Sequence, residues 1–355
     1  MVTTQQTASC FALQSVQERR VLIDEAAARL NVAALIVEKD FWVGWLLGRL
    51  FAMPALAGQL QFKGGTSLSM VFGAVRRFSE DIDLAILPAA LGFEEGYFND
   101  APSASQRRKR MDELARASVA YVQRLQPLLE AEITSILGSS SGGESWLSFE
   151  IDSNAGTPNL WFAYPSVTRK TSTYIAKRVK LEFGSLTNQQ PSLHAAARTL
   201  LAGVLPAGVF IDLSANVVVL DVARTFWEKA TILHAEHYRP EHLPVRERFA
   251  RHYSDFAALW QQDQARMAGL DRLDLLADVA LHKSRYFASG WAHYETATPG
   301  TLKLVPPRFR WTAIGDDYAT MRPMFMTEPP PFADLMQQLA QAEQALNALK
   351  GAATA

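Results

Sequence analysis

The fold of this chain is decided by Lys63-Gly64-Gly65-Thr66-Ser67, which a short segment separates from Asp81-Ile82-Asp83. The stretch Leu60-Gln61-Phe62 precedes the glycine pair, and an apolar run follows the second acid as far as Leu87. This pattern predicts a strand, then a helix over residues 67–74, then a second strand over residues 81–87. Because side chains alternate between the two faces of a strand, we expect the two acids to project to the same side.

Each of the two motifs has a chemistry that its residues favour. Two neighbouring carboxylates repel each other, and burying them without a cation costs several kcal/mol each. Oxygen ligands of this kind favour Mg²⁺ or Mn²⁺, with phosphate oxygens completing the coordination. Gly64 and Gly65 allow a phosphate to approach the backbone closely. The hydroxyls of Thr66 and Ser67 stand at a helix start, where they can contact phosphoryl oxygens.

Each motif alone has a plainer alternative. A pair of acids can be a surface accident, and a Gly-Gly-Thr-Ser turn can be an ordinary strand-to-helix turn with a hydroxyl as the helix cap. The combination favours function, because the strand that carries the acids runs on into a core. Together the motifs predict a site for a nucleoside triphosphate and its metal ion, and so an enzyme that moves a nucleotidyl group.

Length and composition restrict the class of protein. A chain of 355 residues is longer than one hydrophobic core usually supports, so two domains are expected. The formal net charge of −1 means that any RNA binding must come from a local basic patch. The single cysteine, Cys10, excludes an intrachain disulfide framework and fits a reducing cytoplasm. We find no signal peptide and no run of about 18 apolar residues, so a cytoplasmic protein without a membrane partner is expected.

The hydrophobic pattern predicts an α+β protein. In the first part of the chain the pattern predicts two helices over residues 14–50 and a long helix or a broken pair over 105–137. It also predicts strands over 145–152, 159–164 and 173–183. From about Val218 onward the pattern is mostly helical, with helices over 222–236, 245–260, 270–282 and 332–350. We therefore expect one domain over residues 1–215 and a mainly helical domain over residues 216–355.

Several motifs in order resemble one known family. Residues 63–69 and 77–84, with the acid pair in the latter, resemble the AbiEii/AbiGii nucleotidyltransferase toxins, a family similar to the MenT-type toxins. That family belongs to the DNA polymerase beta-like superfamily, whose signature is G-S followed by D-x-D or D-x-E. The stretches at residues 38–43, 224–230 and 251–256 match further family motifs, so the resemblance covers roughly residues 35–260. It implies a nucleotidyltransferase-like mixed sheet with flanking helices.

The resemblance also implies roles for single residues. Gly65 and Ser67 would contact phosphate, and Asp81 and Asp83 would be catalytic metal ligands. Lys229 would meet the triphosphate, the alternative being a solvated helix lysine paired with Glu228 or Glu236. Asp255 would be a catalytic acid, the alternative being a helix salt bridge to Arg251.

The superfamily usually supplies a third carboxylate from a later strand. Glu182 is the candidate for this catalytic and metal-binding position because its strand has the right place in the order. Glu150 and Asp152, on an earlier strand, are the other possibilities. Lys180 lies on the same face as Glu182. A plain ion pair between the two is therefore the structural alternative.

The family resemblance implies an activity and partners. The protein would be the toxin of a toxin–antitoxin or phage-defence pair, with its antitoxin encoded separately. It would transfer a nucleotide from GTP, CTP, UTP or ATP to an RNA acceptor such as the tRNA 3′ end, using Mg²⁺ or Mn²⁺. Two other functions remain open. The protein could transfer AMP or phosphate to a protein, or it could be a nucleotide-binding module without turnover whose terminal helix binds a partner.

Overall fold

The computed structural model describes residues 9–94, 103–140, 142–153, 155–169, 175–186, 188 and 190–349. The chain forms two compact units. The sheet unit comprises Met1–Val71, Phe78–Asp100 and Lys109–Val219. The helical unit comprises Phe72–Arg77, Ala101–Arg108 and Leu220–Ala355. The predicted domain limits of 1–215 and 216–355 stay a prediction.

A seven-stranded mixed sheet forms the centre of the sheet unit, in the order β3-β4-β5-β2-β1-β7-β6. Its strands are β1 (Leu60–Lys63), β2 (Asp81–Ile86), β3 (Leu147–Ile151), β4 (Pro158–Phe162), β5 (Val179–Gly184), β6 (Ser192–Arg198) and β7 (Ser214–Leu220). The acid strand β2 runs antiparallel to β1 and parallel to β5. β4 runs antiparallel to both β3 and β5. The predicted mixed sheet is therefore confirmed.

Helices flank this sheet. They are α1 (Val16–Leu30), α2 (Ala34–Ala52), α3 (Gly64–Met70), α4 (Ala104–Leu137) and α5 (Leu200–Val204). The first residues of α4, 104–108, belong to the helical unit. α1 begins with a capping box, in which Ser15 accepts from the Glu18 backbone N–H and the Glu18 carboxylate accepts from the Ser15 backbone N–H. α4 is one helix with Pro127 inside it, so the broken pair left open by the sequence does not form.

Three consecutive charged residues are buried on α2, and each ties the helix to another part of the sheet unit. Glu38 accepts hydrogen bonds from the backbone N–H of Val167 and from the Ser166 hydroxyl. Lys39 forms an ion pair with Glu80, at 2.8 Å between Nζ and Oε2. The Asp40 carboxylate accepts from the Leu200 backbone N–H at 2.6 Å. Helix α2 therefore holds β2 and α5 in place through polar contacts in addition to its apolar face.

Asp40 should make the stability of the protein depend on pH. Burial raises its pKa to about 7, although the Leu200 N–H opposes that shift. The folded state therefore binds this proton more tightly than the unfolded state, and the stability it contributes is lost as pH rises from about 4 through 7. Asp40→Asn keeps an acceptor oxygen for Leu200 and removes the charge. We expect it to raise the free energy of unfolding by about 1–3 kcal/mol more at pH 8 than at pH 5. Parallel stability curves for the two proteins in urea would contradict this.

The helical unit contains α6 (Val222–His237), α7 (Ala250–Gln261), α8 (Asp263–Leu270), α9 (Leu273–Tyr286), α10 (Trp311–Thr320) and α11 (Phe332–Ala348). The terminal helix α11 buries Leu335, Leu339, Ala342 and Leu346, so its apolar stripe is part of the core. The predicted α+β class with a mainly helical C-terminal part is confirmed. Within the described part of the chain, no helix combines the length and apolar character needed to cross a membrane.

Candidate active site

The two acids lie at the start of β2, beside a third. The Cα of Asp83 pairs with that of Glu182 on β5, and Asp81 pairs with Lys180. Directly paired residues of neighbouring strands share a face of the sheet, so Asp81, Asp83 and Glu182 lie on one face. Strand adjacency thus brings Glu182 next to the acid pair, as the proposed third carboxylate requires. Its role as a metal ligand stays a prediction.

Negative charge is crowded around Asp81. Burial, followed by the charges of Glu80, Glu182 and Asp83, raises the pKa of Asp81 to about 7, while Lys39 opposes them. A carboxylate surrounded by other carboxylates is stabilised by a nearby cation. Hard oxygen donors of this kind suit a divalent metal ion such as Mg²⁺ or Mn²⁺. The residues present at this strand end therefore fit a metal ion.

The third carboxylate is engaged elsewhere. Glu182 forms an ion pair with Lys180 on its own strand, at 2.5 Å between Oε1 and Nζ, and its side chain is 39% exposed. The ion pair expected from the sequence as the structural alternative is therefore present. Among the described residues, no group of three or more His, Cys, Asp or Glu side chains is arranged to hold a metal. The runners-up also have other partners, since Glu150 accepts from the Trp161 indole and Asp152 lies 3.7 Å from Lys180.

The glycine turn lies directly against the second acid. Gly64 has φ of +81°, in the region that favours glycine, and a Cβ at this position would lie 1.9 Å from Asp83 Oδ2. The Thr66 hydroxyl donates to the Asp81 carbonyl, and the Ser67 hydroxyl donates to the Gly64 carbonyl at 2.8 Å. Turn and strand therefore form one connected element. Both hydroxyls are used in this way here, so their predicted contact with phosphate stays a prediction.

Gly64→Ala should displace the Asp83 carboxylate. The new methyl group cannot share its position with Asp83 Oδ2, so one of the two must move by about 1 Å or more, a misplacement that typically costs about 10²-fold in rate. Gly58→Ala is the matched control, because Gly58 also has positive φ but would place its Cβ in open space. We expect the activity predicted from the sequence to fall by about 10²-fold in the first variant and to stay near the wild-type rate in the second. Equal activities of the two variants would show that the close approach at Gly64 does not matter.

The helical unit contains a separate buried charge cluster centred on Asp255 of α7. Arg77 binds its carboxylate with two hydrogen bonds, of 2.6 Å from Nε and 2.9 Å from Nη2. Lys229 of α6 donates to the same carboxylate, at 2.7 Å from Nζ to Oδ2. The relative exposure is 5% for Arg77, 7% for Lys229 and 1% for Asp255. One carboxylate therefore holds two cations out of water.

The pKa values in this cluster follow from burial and charge. Burial alone would raise the pKa of Asp255, but Arg77 and Lys229 outweigh it and hold that pKa far below its usual range. Burial lowers the pKa of Lys229, and the Arg77 charge adds to this while Asp255 opposes it. His252 is half-buried, and desolvation followed by the charge of Lys229 keeps its pKa well below the usual value. Its Nδ1 lies 3.2 Å from Lys229 Nζ. The neutral imidazole can thus accept a hydrogen bond from the ammonium.

Lys229 and Asp255 have partners other than the ones that the sequence suggested as structural alternatives. Glu228 pairs with Arg224 and Glu236 with Arg246, so neither is the partner of Lys229. Arg77 binds Asp255 in the position that the sequence assigned to Arg251. Sequence reasoning missed Arg77 and His252, although both lie inside the motifs that it identified. The catalytic roles predicted for Lys229 and Asp255 stay predictions.

Comparison with known proteins defines the class. The profile of the nucleotidyl transferase AbiEii toxins of type IV toxin–antitoxin systems matches residues 45–346. The chain belongs to this family and is a nucleotidyltransferase toxin, with a nucleoside triphosphate substrate and a cognate antitoxin implied. The solved structure of MenT4, a nucleotidyltransferase toxin from Mycobacterium tuberculosis H37Rv, is similar at 18% sequence identity and a TM-score of 0.42. The match covers 98% of that protein and 93% of this chain. A search of curated proteins found no match.

Proposed function

We propose that this protein transfers a nucleoside monophosphate from a nucleoside triphosphate to an RNA acceptor, with the tRNA 3′ end as the leading candidate. We further propose Mg²⁺ or Mn²⁺ as its cofactor and the cytoplasm as its place of action. The observation that carries the proposal is the meeting of Asp81, Asp83 and Glu182 on one face of the sheet, beside the Gly64 turn. Excess negative charge next to a close-approach turn suits a metal-bound triphosphate.

Different groups of the sheet unit would bind the cation, contact the phosphates and accept the proton. Asp81 and Asp83 would hold the cation, and the backbone of Gly64 and Gly65 would lie against the phosphates. A bound divalent cation supplies Lewis-acid polarisation of the α-phosphate and neutralises the departing charge. The acceptor hydroxyl forms the new bond to the α-phosphorus, the bond to pyrophosphate breaks, and Glu182 takes the hydroxyl proton. Glu182 can do so after its exposed carboxylate leaves Lys180.

Lys229 would stabilise negative charge during the reaction, and Asp255 would orient its ammonium. Support comes from the helical unit alone, where the buried cations Arg77 and Lys229 both bind the Asp255 carboxylate. A preorganised ammonium of this kind stabilises charge that develops on a leaving phosphate. Lys229 would therefore contact the departing pyrophosphate, and Asp255 together with Arg77 would keep its ammonium in one position.

The experiment incubates the purified protein with total tRNA, Mg²⁺ or Mn²⁺, and each of the four nucleoside triphosphates labelled at the α-phosphate. We expect label in RNA with at least one nucleotide, and none after chelation of the metal. Label found only in protein would show that the acceptor is a protein and not RNA. Nucleotide binding without labelling of any acceptor would instead indicate a binding module.

A further inference from the structure

The face of the sheet that carries the acids continues across two more strands. Lys180, which pairs with Asp81, pairs on its other side with Trp161 of β4. Neighbouring strands lie about 4.8 Å apart, so the Cα of Trp161 is about 10 Å from that of Asp81. Directly paired residues share a face. A row therefore leads from the acid pair through Lys180 to the indole.

Trp161 carries an exposed cation on its ring. The Arg178 guanidinium carbon lies 3.7 Å from the ring centroid, and Arg178 itself is exposed. Lys180 Nζ lies 5.6 Å from the same centroid. The indole N–H donates to Glu150, which fixes the ring orientation, and the ring remains partly exposed. The result is a platform of indole and guanidinium, defined here as Trp161 and Arg178, in which the indole is partly exposed and the arginine is exposed.

The order of the strands determines which substrate this platform can meet. The Gly64 turn follows β1, and β1 and β5 lie on opposite sides of β2. In phosphoryl transfer the attacking and leaving oxygens lie roughly in line through phosphorus. With the phosphates of the triphosphate on the β1 side, the acceptor must approach from the β5 side. The Trp161–Arg178 platform lies on that side, one strand beyond Glu182.

We propose that Trp161 and Arg178 bind the 3′-terminal nucleotide of the RNA acceptor. This inference rests on the proposed function and adds to it a subsite and a requirement for an unpaired end. Proteins recognise unpaired nucleotides by stacking bases on aromatic rings and on arginine guanidinium planes. The terminal base stacks on the platform, and the guanidinium N–H groups of Arg178 bind a backbone phosphate. The terminal hydroxyl then lies on the same face of the sheet, toward Glu182 and the two acids.

The test uses a single-stranded RNA oligonucleotide and the same oligonucleotide with an abasic 3′-terminal residue. Acceptor KM is measured in the labelling reaction and Kd by fluorescence anisotropy, for wild type and for the variants Trp161→Leu and Trp161→Phe. Wild type should bind the abasic RNA about 10- to 100-fold more weakly than the intact RNA. Trp161→Leu should bind both equally weakly, whereas Trp161→Phe, which also loses the bond to Glu150, should retain most of the preference. Nucleotide Kd should be unchanged in both variants.

Arg178 is tested with a matched control. Arg178→Gln should reduce the slope of log affinity for RNA against log salt concentration by about 0.7, the value for one phosphate contact on a single strand. Arg308 also lies 3.7 Å from a tryptophan ring, that of Trp311, and is also exposed, so Arg308→Gln makes the same change of charge elsewhere. We expect its salt slope to equal that of wild type. Because Arg178 is exposed, its replacement tests the subsite even where a change at Trp161 impairs folding.

The outcomes separate the subsite from the activity. RNA labelled by wild type with the same KM for intact and abasic ends, or labelled equally well by Trp161→Leu, overturns the subsite and leaves the proposed function standing. An equal change of salt slope in Arg178→Gln and Arg308→Gln also overturns it. Absence of both binding and labelling of RNA by wild type overturns the subsite and the proposed RNA acceptor together.

Discussion

Replacing Asp81 and Asp83 together with asparagine is expected to reduce nucleotidyl transfer by at least about 10³-fold. Asparagine keeps the shape of each side chain but removes both negative charges that would hold the cation. The same change removes two carboxylates from a place where burial and neighbouring like charges raise the pKa of Asp81, so the variant should unfold at the same temperature as wild type or above it. Initial rates at saturating metal and a thermal unfolding curve measure the two effects.

The control for this double replacement is Asp24→Asn, because Asp24 is an exposed acid on α1. We expect it to leave the rate unchanged. A double variant that transfers nucleotide within tenfold of wild type would rule out the acid pair as the metal site. A double variant that unfolds at a much lower temperature would instead show that the acids stabilise the fold.

Asp255→Ala is expected to lower the stability of the helical unit by about 3–5 kcal/mol, because it removes the buried carboxylate that binds both Arg77 and Lys229. Arg77 and Lys229 both depend on this carboxylate in the structure. Their mutual repulsion adds to the cost of keeping them out of water. Hydrogen exchange measured on peptides from α6 and α7 reports the change where it arises, and exchange there should accelerate strongly.

The control for Asp255 is an ion pair of similar geometry on the surface. Arg272 binds Asp274 with two hydrogen bonds, of 2.8 and 2.7 Å, and both side chains are exposed. Asp274→Ala should leave exchange in α6 and α7 nearly unchanged, because solvent screens exposed pairs. Similar exchange in both variants would mean that burial of the Asp255 cluster contributes little to stability.

Much of the sheet unit could be predicted because its signals are local. The alternation in β2, the apolar run after Asp83 and the glycines before α3 all lie within 30 residues of one another. The helix after the turn begins at Gly64, where the sequence predicted Ser67. Glycine is a poor helix former, but the Thr66 bond to the Asp81 carbonyl holds the first turn in place.

The parts that were missed depend on contacts between distant residues. β7 pairs in parallel with β1 through Val219 and Phe62, and its apolar run can equally begin a helix. β6, with three consecutive alanines, has no strand pattern of its own. Arg77 meets Asp255 across 178 residues of sequence. No periodicity can predict such a pair, because it is set by how helices and segments pack.

The site could be predicted as a list of residues and only partly as an arrangement. The spacing of Asp81 and Asp83 determines that they share a face, whereas the place of Glu182 beside them required the order of strands. The pair of Trp161 and Arg178 required the register of β4 against β5. Site residues that lie close together in the sequence could therefore be predicted to act together. Those that become neighbours only through the pairing of strands could not.

The most direct test of the central claim compares two labels in one reaction. A nucleoside triphosphate labelled at the α-phosphate and the same nucleotide labelled at the γ-phosphate are incubated separately with tRNA, the metal ion and the protein. Nucleotidyl transfer predicts that RNA acquires the α label and gains the mass of whole nucleotides, while the γ label leaves as pyrophosphate. Transfer of the γ label to RNA or protein, or α labelling that survives in the Asp81→Asn, Asp83→Asn double variant, would contradict the account.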